Sequence, residues 1–360
     1  MKRVICLFSA LLLLFLTACG DTTGEPTATP EVTPTPAPTA TPEPTPEPTP
    51  EPLREPLTGL ACEEDLSGVR PVAVMLNNLK AALPQQGNSQ ADIIYEVLAE
   101  GGITRMLGVY QHPEKVGLIG SVRSARQYYW ELAQGHDAVY IHAGGSPEFY
   151  ETKSRLGLFT VDGVNGYYSS AAAGMFWRDR ERIAGHRYAV EHSLLTSGEA
   201  ITAMLAKEDR SAHAEGYRYE MAFADDGTPA VGQNAVTVTV PFSNYKSGLF
   251  HYDAATRLYA VEEYGQPYID GNDNTQVAVT NLIVVQTTCT VVDDKGRIVV
   301  DLSSGSGWFA CGGKIAPITW KKGDASQQLR YFNEDGSPLT LGRGKSYVCI
   351  IPTNRTVTAE

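Results

Sequence analysis

The chain has 360 residues and carries 41 acidic against 29 basic side chains, a formal net charge of −12. That balance excludes the basic face a nucleic-acid binder needs. Acidity of this kind serves solubility and says little about fold.

The first element is an address. Lys2 and Arg3 precede an apolar run from Val4 to Leu16, followed by Leu16-Thr17-Ala18-Cys19. A positive flank, a short greasy core and small residues before a cysteine predict a secretory signal, residues 1–19. The run is too short for a permanent membrane helix. Leu-Thr-Ala-Cys also has the form of a lipobox. Cleavage before Cys19 and diacylglycerol (palmitate-type) acylation would anchor the chain to the outer face of the cytoplasmic membrane. Residues 20–56 are almost all Thr, Pro, Glu and Ala. With nothing apolar to bury, this stretch is expected to be a disordered tether, extended by proline at roughly 3 Å per residue.

The rest is long enough for two modest domains, expected over 57–212 and 213–356. Arg70 to Leu76 reads as a buried strand ending at Asn77-Asn78. Ser89-Gln90-Ala91-Asp92 has the form of a helix start. Residues 93–110 read either as a helix then a strand, or as a β-hairpin turning on Gly101-Gly102. The Ile, Tyr and Val content favours the hairpin. Ser121 is expected to cap a helix over Val122–Gln134, with Gly135 just past its end. Ala138 to His142 reads as a strand. After Gly144-Gly145, Ser146-Pro147-Glu148 opens a helix with Ser as cap, Pro at the first helical place and Glu in the first turn. Glu191 to Lys207 reads as another helix. Beyond Tyr217, segments such as Ala235–Pro241, Val277–Thr288 and Tyr347–Ile351 alternate with period two. Asp294-Lys295-Gly296 and Asp335-Gly336 mark hairpin turns. The fold class expected is α+β: a layered α/β N-terminal domain, then a mostly antiparallel β C-terminal domain.

Cys62, Cys289, Cys311 and Cys349 remain beyond the lipobox. They are either two disulfides, in one of three connectivities, or four small buried thiols. Their spacing does not suit zinc, and neither a metal nor a cofactor is expected.

Several ordered motifs resemble the YerB-type bacterial lipoproteins, the 3048 family of paired N- and C-terminal domains of unknown function. They are Pro56-Leu57-Thr58-Gly59, Arg70-Pro71-Val72-Ala73-Val74-Met75, Gln90 to Glu96, Glu100 to Arg105, Arg123-Ser124-Ala125-Arg126 and His142 to Ser146. In the second half they are Gly305-Ser306-Gly307, Thr319-Trp320-Lys321-Lys322 and Asp335 to Leu339. The chain departs from the family pattern at Ser121-Val122 and at Leu83-Pro84-Gln85-Gln86-Gly87. The resemblance implies an extracytoplasmic address and a two-part architecture, and no established reaction.

Candidate chemistry comes from the residues. Arg123 and Arg126, with Ser124, are placed in the first turns of the helix expected after Ser121. Cations there are unfavourable with the helix dipole, which points to an anionic ligand held by guanidinium forks and free N–H groups. The alternative is pairing with the protein's own acids. Glu96, Glu100 and Arg105 form a second cluster, expected on one face of the hairpin with Arg105 opposite Leu98. It is either an ion-pair brace or an acid/base pair. His142, Gly144, Gly145 and Ser146 form a strand-to-helix turn able to offer N–H groups to an anion. His142 could act as a base, although no G-x-S-x-G elbow occurs. The primary expectation is a binding or scaffold module of the cell envelope. Its ligand would be a wall polymer, a peptide or an envelope protein, and its membrane contact lipidated Cys19. The alternative is a wall-directed hydrolase or transferase using Glu96, Glu100 and His142. Tyr167, Tyr168, Phe176 and Trp177 offer rings for sugar stacking or for packing, and Arg178 to Arg182 reads as a solvated charged face.

Overall fold

The structure, a computed structural model, describes residues 51–180 and 189–360. Cys19, the signal, most of the tether and the second half of the Arg178–Arg182 stretch lie outside the described residues.

An 11-stranded mixed sheet organises the fold. Its order is Gln233–Asn234, Lys314–Lys321, Ser304–Cys311, Asn281–Thr287, Ser346–Pro352, Ile93–Leu98, Thr104–Tyr110, Val72–Asn77, Val139–His142 and Thr160–Asp162, with Arg330–Phe332 beside Lys314–Lys321. Val72–Asn77, Val139–His142 and Thr160–Asp162 run parallel. Ile93–Leu98 and Ser346–Pro352 also pair in parallel, Ile93 opposite Ser346 through Val97 opposite Ile350. Strands from both halves of the sequence thus share one sheet. A second, antiparallel sheet holds Thr237–Pro241, Ser247–Asp253 and Leu258–Glu263, with short strands at its edges.

Burial follows sequence pattern. Val72–Asn77 and Ile93–Leu98 are buried at every position, as unbroken apolar runs in a sheet covered on both faces should be. Thr237–Pro241 and Leu258–Glu263 alternate, which suits strands with one face covered. On one side of the central sheet Val72, Val74, Leu76, Ile94 and Met106 meet Phe250, Tyr259 and Tyr268 of the second sheet. On the other, Met75, Tyr95, Val97 and Leu107 meet Tyr129 and Trp130. Those two rings belong to helix α1, Gln127–Gly135. Helix α2 is Pro147–Leu156 and helix α3 is Gly198–Lys207. The fold is α+β, dominated by strands.

Residues 93–110 form the hairpin, and Ser146 caps α2 by accepting from Phe149 N at 3.3 Å, with Pro147 and Glu148 in its first turn. The Asp294–Gly296 turn joins Cys289–Val291 to Ile298–Val300. Cys311 and Cys349 are buried thiols, Cys62 and Cys289 are half-buried, and none of the four is bridged.

Four expectations need correction. Helix α1 starts at Gln127, not Val122. Residues 122–126 are extended because their backbone is already committed: Val122 N donates to Leu194 O, Arg123 N to Met75 O and Ala125 N to Gly144 O. Ser121 is no cap; its amide donates to Gln85 Oε1. The helix expected over Glu191–Lys207 begins only at Gly198. Leu194–Ser197 is a strand between Leu118–Gly120 and Trp177–Arg178. Asn88–Gln90 is one 3-10 turn rather than a helix start. The hairpin register also differs by one residue. Ala99 N bonds Ile103 O, leaving a three-residue loop of Glu100, Gly101 and Gly102, so Leu98 faces Thr104 and Val97 faces Arg105. A one-residue change moves every side chain to the other face.

Candidate functional site

The register separates the two glutamates. Glu96 lies on the face of Ile94 and Met106, toward the second sheet. Arg105 lies on the face of Val97 and Leu107, toward α1. Glu100, in the loop, bonds to Arg105. Glu96 and Glu100 therefore do not address one substrate.

The Arg105 face carries the cationic cluster. The extended stretch 122–126 runs beside the carboxyl ends of the parallel strands Val72–Asn77 and Val139–His142, bridging Leu76 at Val122 and Gly145 at Ala125. In open α/β sheets, ligands gather at those ends. Tyr128 OH donates to Leu98 O, and Tyr129 OH to Val97 O and Arg105 O. These bonds seat the start of α1 on the hairpin and bring Arg126, its N-cap residue, to Arg105. Glu100 joins them: Arg126 Nε donates to its Oε1 at 2.5 Å and Arg105 Nη2 to its Oε2 at 3.3 Å. Arg105 Nη1 donates to Ser124 O. Arg123 Nη1 donates to the Glu191 carbonyl and to no carboxylate among the described residues. Arg105 Nε and Arg123 Nε are buried without a hydrogen-bond partner.

Electrostatics follow that count. Burial, then the neighbouring Arg126, lowers the Arg105 guanidinium. Burial, then Arg105, brings Arg123 down to about 10. Burial acts to raise Glu100, but the bond from Arg126 and the field of Arg105 outweigh it, and its carboxyl sits below the usual range. Arg105 and Arg126 share the Glu100 carboxylate, and Arg123 feels Glu191 ahead of Glu100 without bonding either carboxylate. Three guanidinium groups beside two carboxylates leave the patch an excess of positive charge. Five surface hollows of about 440 to 650 Å³ lie elsewhere on the described residues, and none is lined by these arginines. The cluster is a part-exposed face.

The adjoining turn is built for structure as well as display. Gly144 has φ +74 and Gly145 has no room for a Cβ beside Phe149. Asp162 Oδ1 accepts from Gly144 N at 2.8 Å and Val164 N at 2.9 Å, and its Oδ2 accepts from Tyr150 OH at 2.6 Å. Gly144 N is therefore taken. His142 is fully enclosed. Its Nδ1 bonds Gly144 O at 2.8 Å and its Nε2 bonds Thr160 Oγ1 at 3.0 Å. Burial pulls its pKa down to about 4, so it is neutral near pH 7 with both nitrogens occupied. That geometry does not suit a base.

Sequence reasoning missed the surroundings of Glu96. Its Oε1 accepts from Asn78 Nδ2 at 2.8 Å and Thr104 Oγ1 at 2.6 Å, its Oε2 accepts from Tyr347 OH at 2.6 Å, and Lys246 Nζ forms an ion pair with Oε1 at 3.0 Å. Lys246 also donates to Glu263 Oε2. A lysine flanked by Phe242 and Tyr245 between two strands was the available signal, and a weak one. No group of ligands suited to a metal occurs among the described residues.

The fold and site define a two-part α+β protein with a cationic face on its N-terminal half. Residues 57–211 match the family described as "Protein of unknown function (DUF3048) N-terminal domain", and residues 238–348 match its C-terminal domain. The chain belongs to this family. It is 31% identical over 307 residues to "Putative lipoprotein YerB" of Bacillus subtilis (strain 168), covering 82% of this chain and 85% of that one. The crystal structure of YerB from Bacillus subtilis superposes with a TM-score of 0.73 at 27% identity, over 86% of this chain and 99% of that one.

Proposed function

We propose that this protein is a lipid-anchored binding or scaffold module on the outer face of the cytoplasmic membrane. Diacylglycerol on Cys19 would hold it there, and the Pro/Thr/Glu tether would stand the folded body off the lipid. The lipobox and the lipoprotein name of the Bacillus subtilis relative support that address. No helix among the described residues is long and apolar enough to cross a membrane. The ligand is an anionic group, phosphate or carboxylate, of a wall polymer, peptide or envelope protein.

One observation carries the ligand class. Arg105 and Arg126 share the Glu100 carboxylate, Arg123 bonds only the Glu191 carbonyl, and the Nε groups of Arg105 and Arg123 stay buried and unbonded. Guanidinium forks favour oxyanions through paired, charge-assisted hydrogen bonds. A ligand that binds only the folded state raises the melting temperature, and the gain grows with the logarithm of its concentration above Kd. Phosphate and citrate are expected to raise it at constant ionic strength, and Arg123→Ala is expected to remove the effect. Equal shifts in the two proteins would refute the site.

A further inference from the structure

We propose that Lys246 and Glu263 are joined by an amide bond between Nζ and Cδ, formed by the folded protein itself with Glu96 as general base. Lys246 sits in the turn after Thr237–Pro241, where Phe242 N bonds Lys246 O. Glu263 ends the Leu258–Glu263 strand. The three side chains converge between the two sheets at 0% exposure for Glu96, 3% for Lys246 and 1% for Glu263. Aromatic rings wall the site: Nζ lies 5.0 Å from the Tyr264 ring centroid and 5.6 Å from that of Phe242.

Two carboxylates and one ammonium in a sealed space are a costly arrangement, because each charge has lost its water. The carboxylates differ in support. Glu96 accepts three hydrogen bonds and lies 3.0 Å from the Lys246 ammonium, the pattern of an acceptor-only group. Glu263 has Lys246 and, at 3.5 Å, the Tyr347 hydroxyl. Glu263 is thus the carboxyl able to take a proton from the ammonium and become a neutral acid facing a neutral amine. The hydrogen bond already holds Lys246 Nζ on the Glu263 carboxyl group, which supplies the proximity an intramolecular step needs.

The step balances without a cofactor. Nζ attacks Cδ of the Glu263 acid, forming the C–N bond. Glu96, 3.0 Å from Nζ, takes a proton from the nitrogen and returns it to the departing hydroxyl. The Cδ–O bond breaks and one water leaves. The Tyr347 hydroxyl has one proton, which it gives to Glu96 Oε2 at 2.6 Å in the resting state. It lies within 3.5 Å of Glu263 Oε1, and once Glu96 has taken the proton from the nitrogen it can turn to that oxygen, where negative charge gathers. A buried ion pair becomes a neutral amide. Glu96 remains, still held by Asn78, Thr104 and Tyr347. The bond staples the turn at residue 246 to the strand end at residue 263, in a body whose four described cysteines are unbridged.

The test is peptide mass analysis of the full chain purified from membranes, denatured and digested with trypsin. Acylated Lys246 blocks cleavage there. The expected product is Tyr219–Arg257, uncut at Lys246, joined to Leu258–Lys295, lighter than the two together by one water. Recovery of free Tyr219–Lys246 and Ser247–Arg257 as the bulk product would overturn the proposal. Glu96→Gln keeps the shape and the hydrogen-bond acceptor but not the base. The folded variant, identified by a native-like melting transition, is expected to yield the unlinked peptides. A linked product from that variant would overturn the role of Glu96.

Discussion

Val97 faces Arg105 across the hairpin, and this pairing sorts the charged residues of the N-terminal half into two sites. Arg105 goes to the face of α1, where it meets Glu100 and Arg126. Glu96 goes to the opposite face, where it meets Lys246. One patch is part-exposed with excess positive charge. The other is sealed.

Glu100→Gln tests the charge balance of the largely buried arginine cluster. Removing the shared carboxylate leaves Arg105 and Arg126 unpaired beside each other. Because Glu100 keeps a fifth of its side-chain surface, the loss is expected at about 1–3 kcal/mol of stability in urea unfolding, below the cost of breaking a fully buried pair. Added phosphate is expected to restore more stability to this variant than to the unmodified protein. Equal responses would show that phosphate does not reach the arginines.

Ser146→Ala removes the cap of α2, whose hydroxyl accepts from Phe149 N. Loss of such a cap costs about 1 kcal/mol. Chemical denaturation is expected to show that loss with an unchanged slope. A change below a few tenths of a kcal/mol would mean the cap contributes little to holding the Gly144–Gly145 turn.

Acid should destabilise the fold well before the ordinary carboxylates titrate. Burial lowers His142 and His136 to about 4, whereas an unfolded imidazole binds its proton near 6.5. Between about 4 and 6.5 the unfolded chain holds more protons, so stability is lost as pH falls through that window. Each imidazole contributes about 3 kcal/mol of this dependence. Asp92 opposes it. Burial raises its carboxyl to about 6, so below that value the folded state holds the extra proton and gains stability. Two imidazoles against one carboxyl leave a net loss. Denaturation midpoints at pH 7, 5.5 and 4.5 are expected to fall in that order, and His142→Gln to flatten the profile. A midpoint that rises on acidification would contradict the burial of neutral imidazoles.

The thiols give an independent check on the described core. Burial raises Cys289 and Cys311 to about 11. Cys311 and Cys349 are enclosed, whereas Cys62 and Cys289 are half-buried. Under native conditions a thiol reagent is expected to reach Cys62 first and Cys311 and Cys349 only after unfolding. Prompt labelling of Cys349 would place it outside the core.

Local chemistry in the sequence was legible where it governs structure locally. The Ser146-Pro147-Glu148 start, the apolar strand before Asn77 and the alternating strands Thr237–Pro241 and Leu258–Glu263 are all present. Asn281–Thr287 and Ser346–Pro352, also expected to alternate, are instead buried almost throughout because they lie in the central sheet, covered on both faces. The hairpin was legible too, but its register was not, because two adjacent glycines serve a two-residue or a three-residue turn equally well. The α1 start was misplaced for a different reason. Ser121 has the right chemistry for a cap, but the backbone of residues 122–126 bonds to Leu194, Met75 and Gly144, partners that no local pattern announces. The parallel pairing of Ile93 with Ser346 joins residues far apart in sequence, and the meeting of Glu96 with Lys246 depends on it. Of the arginine cluster, Arg123 and Arg126 were singled out from an expected place in the first turns of a helix, whose start the structure moves to Gln127. The pairing of Glu100 with Arg105 was among the expected alternatives, but its sharing with Arg126 was not.

The most direct measurement is calorimetric titration of inorganic phosphate into the unmodified protein and into Arg123→Ala at the same ionic strength. The account predicts saturable binding at one site per chain, abolished by the substitution. Absence of saturable heat in the unmodified protein, or an isotherm that Arg123→Ala leaves intact, would contradict it.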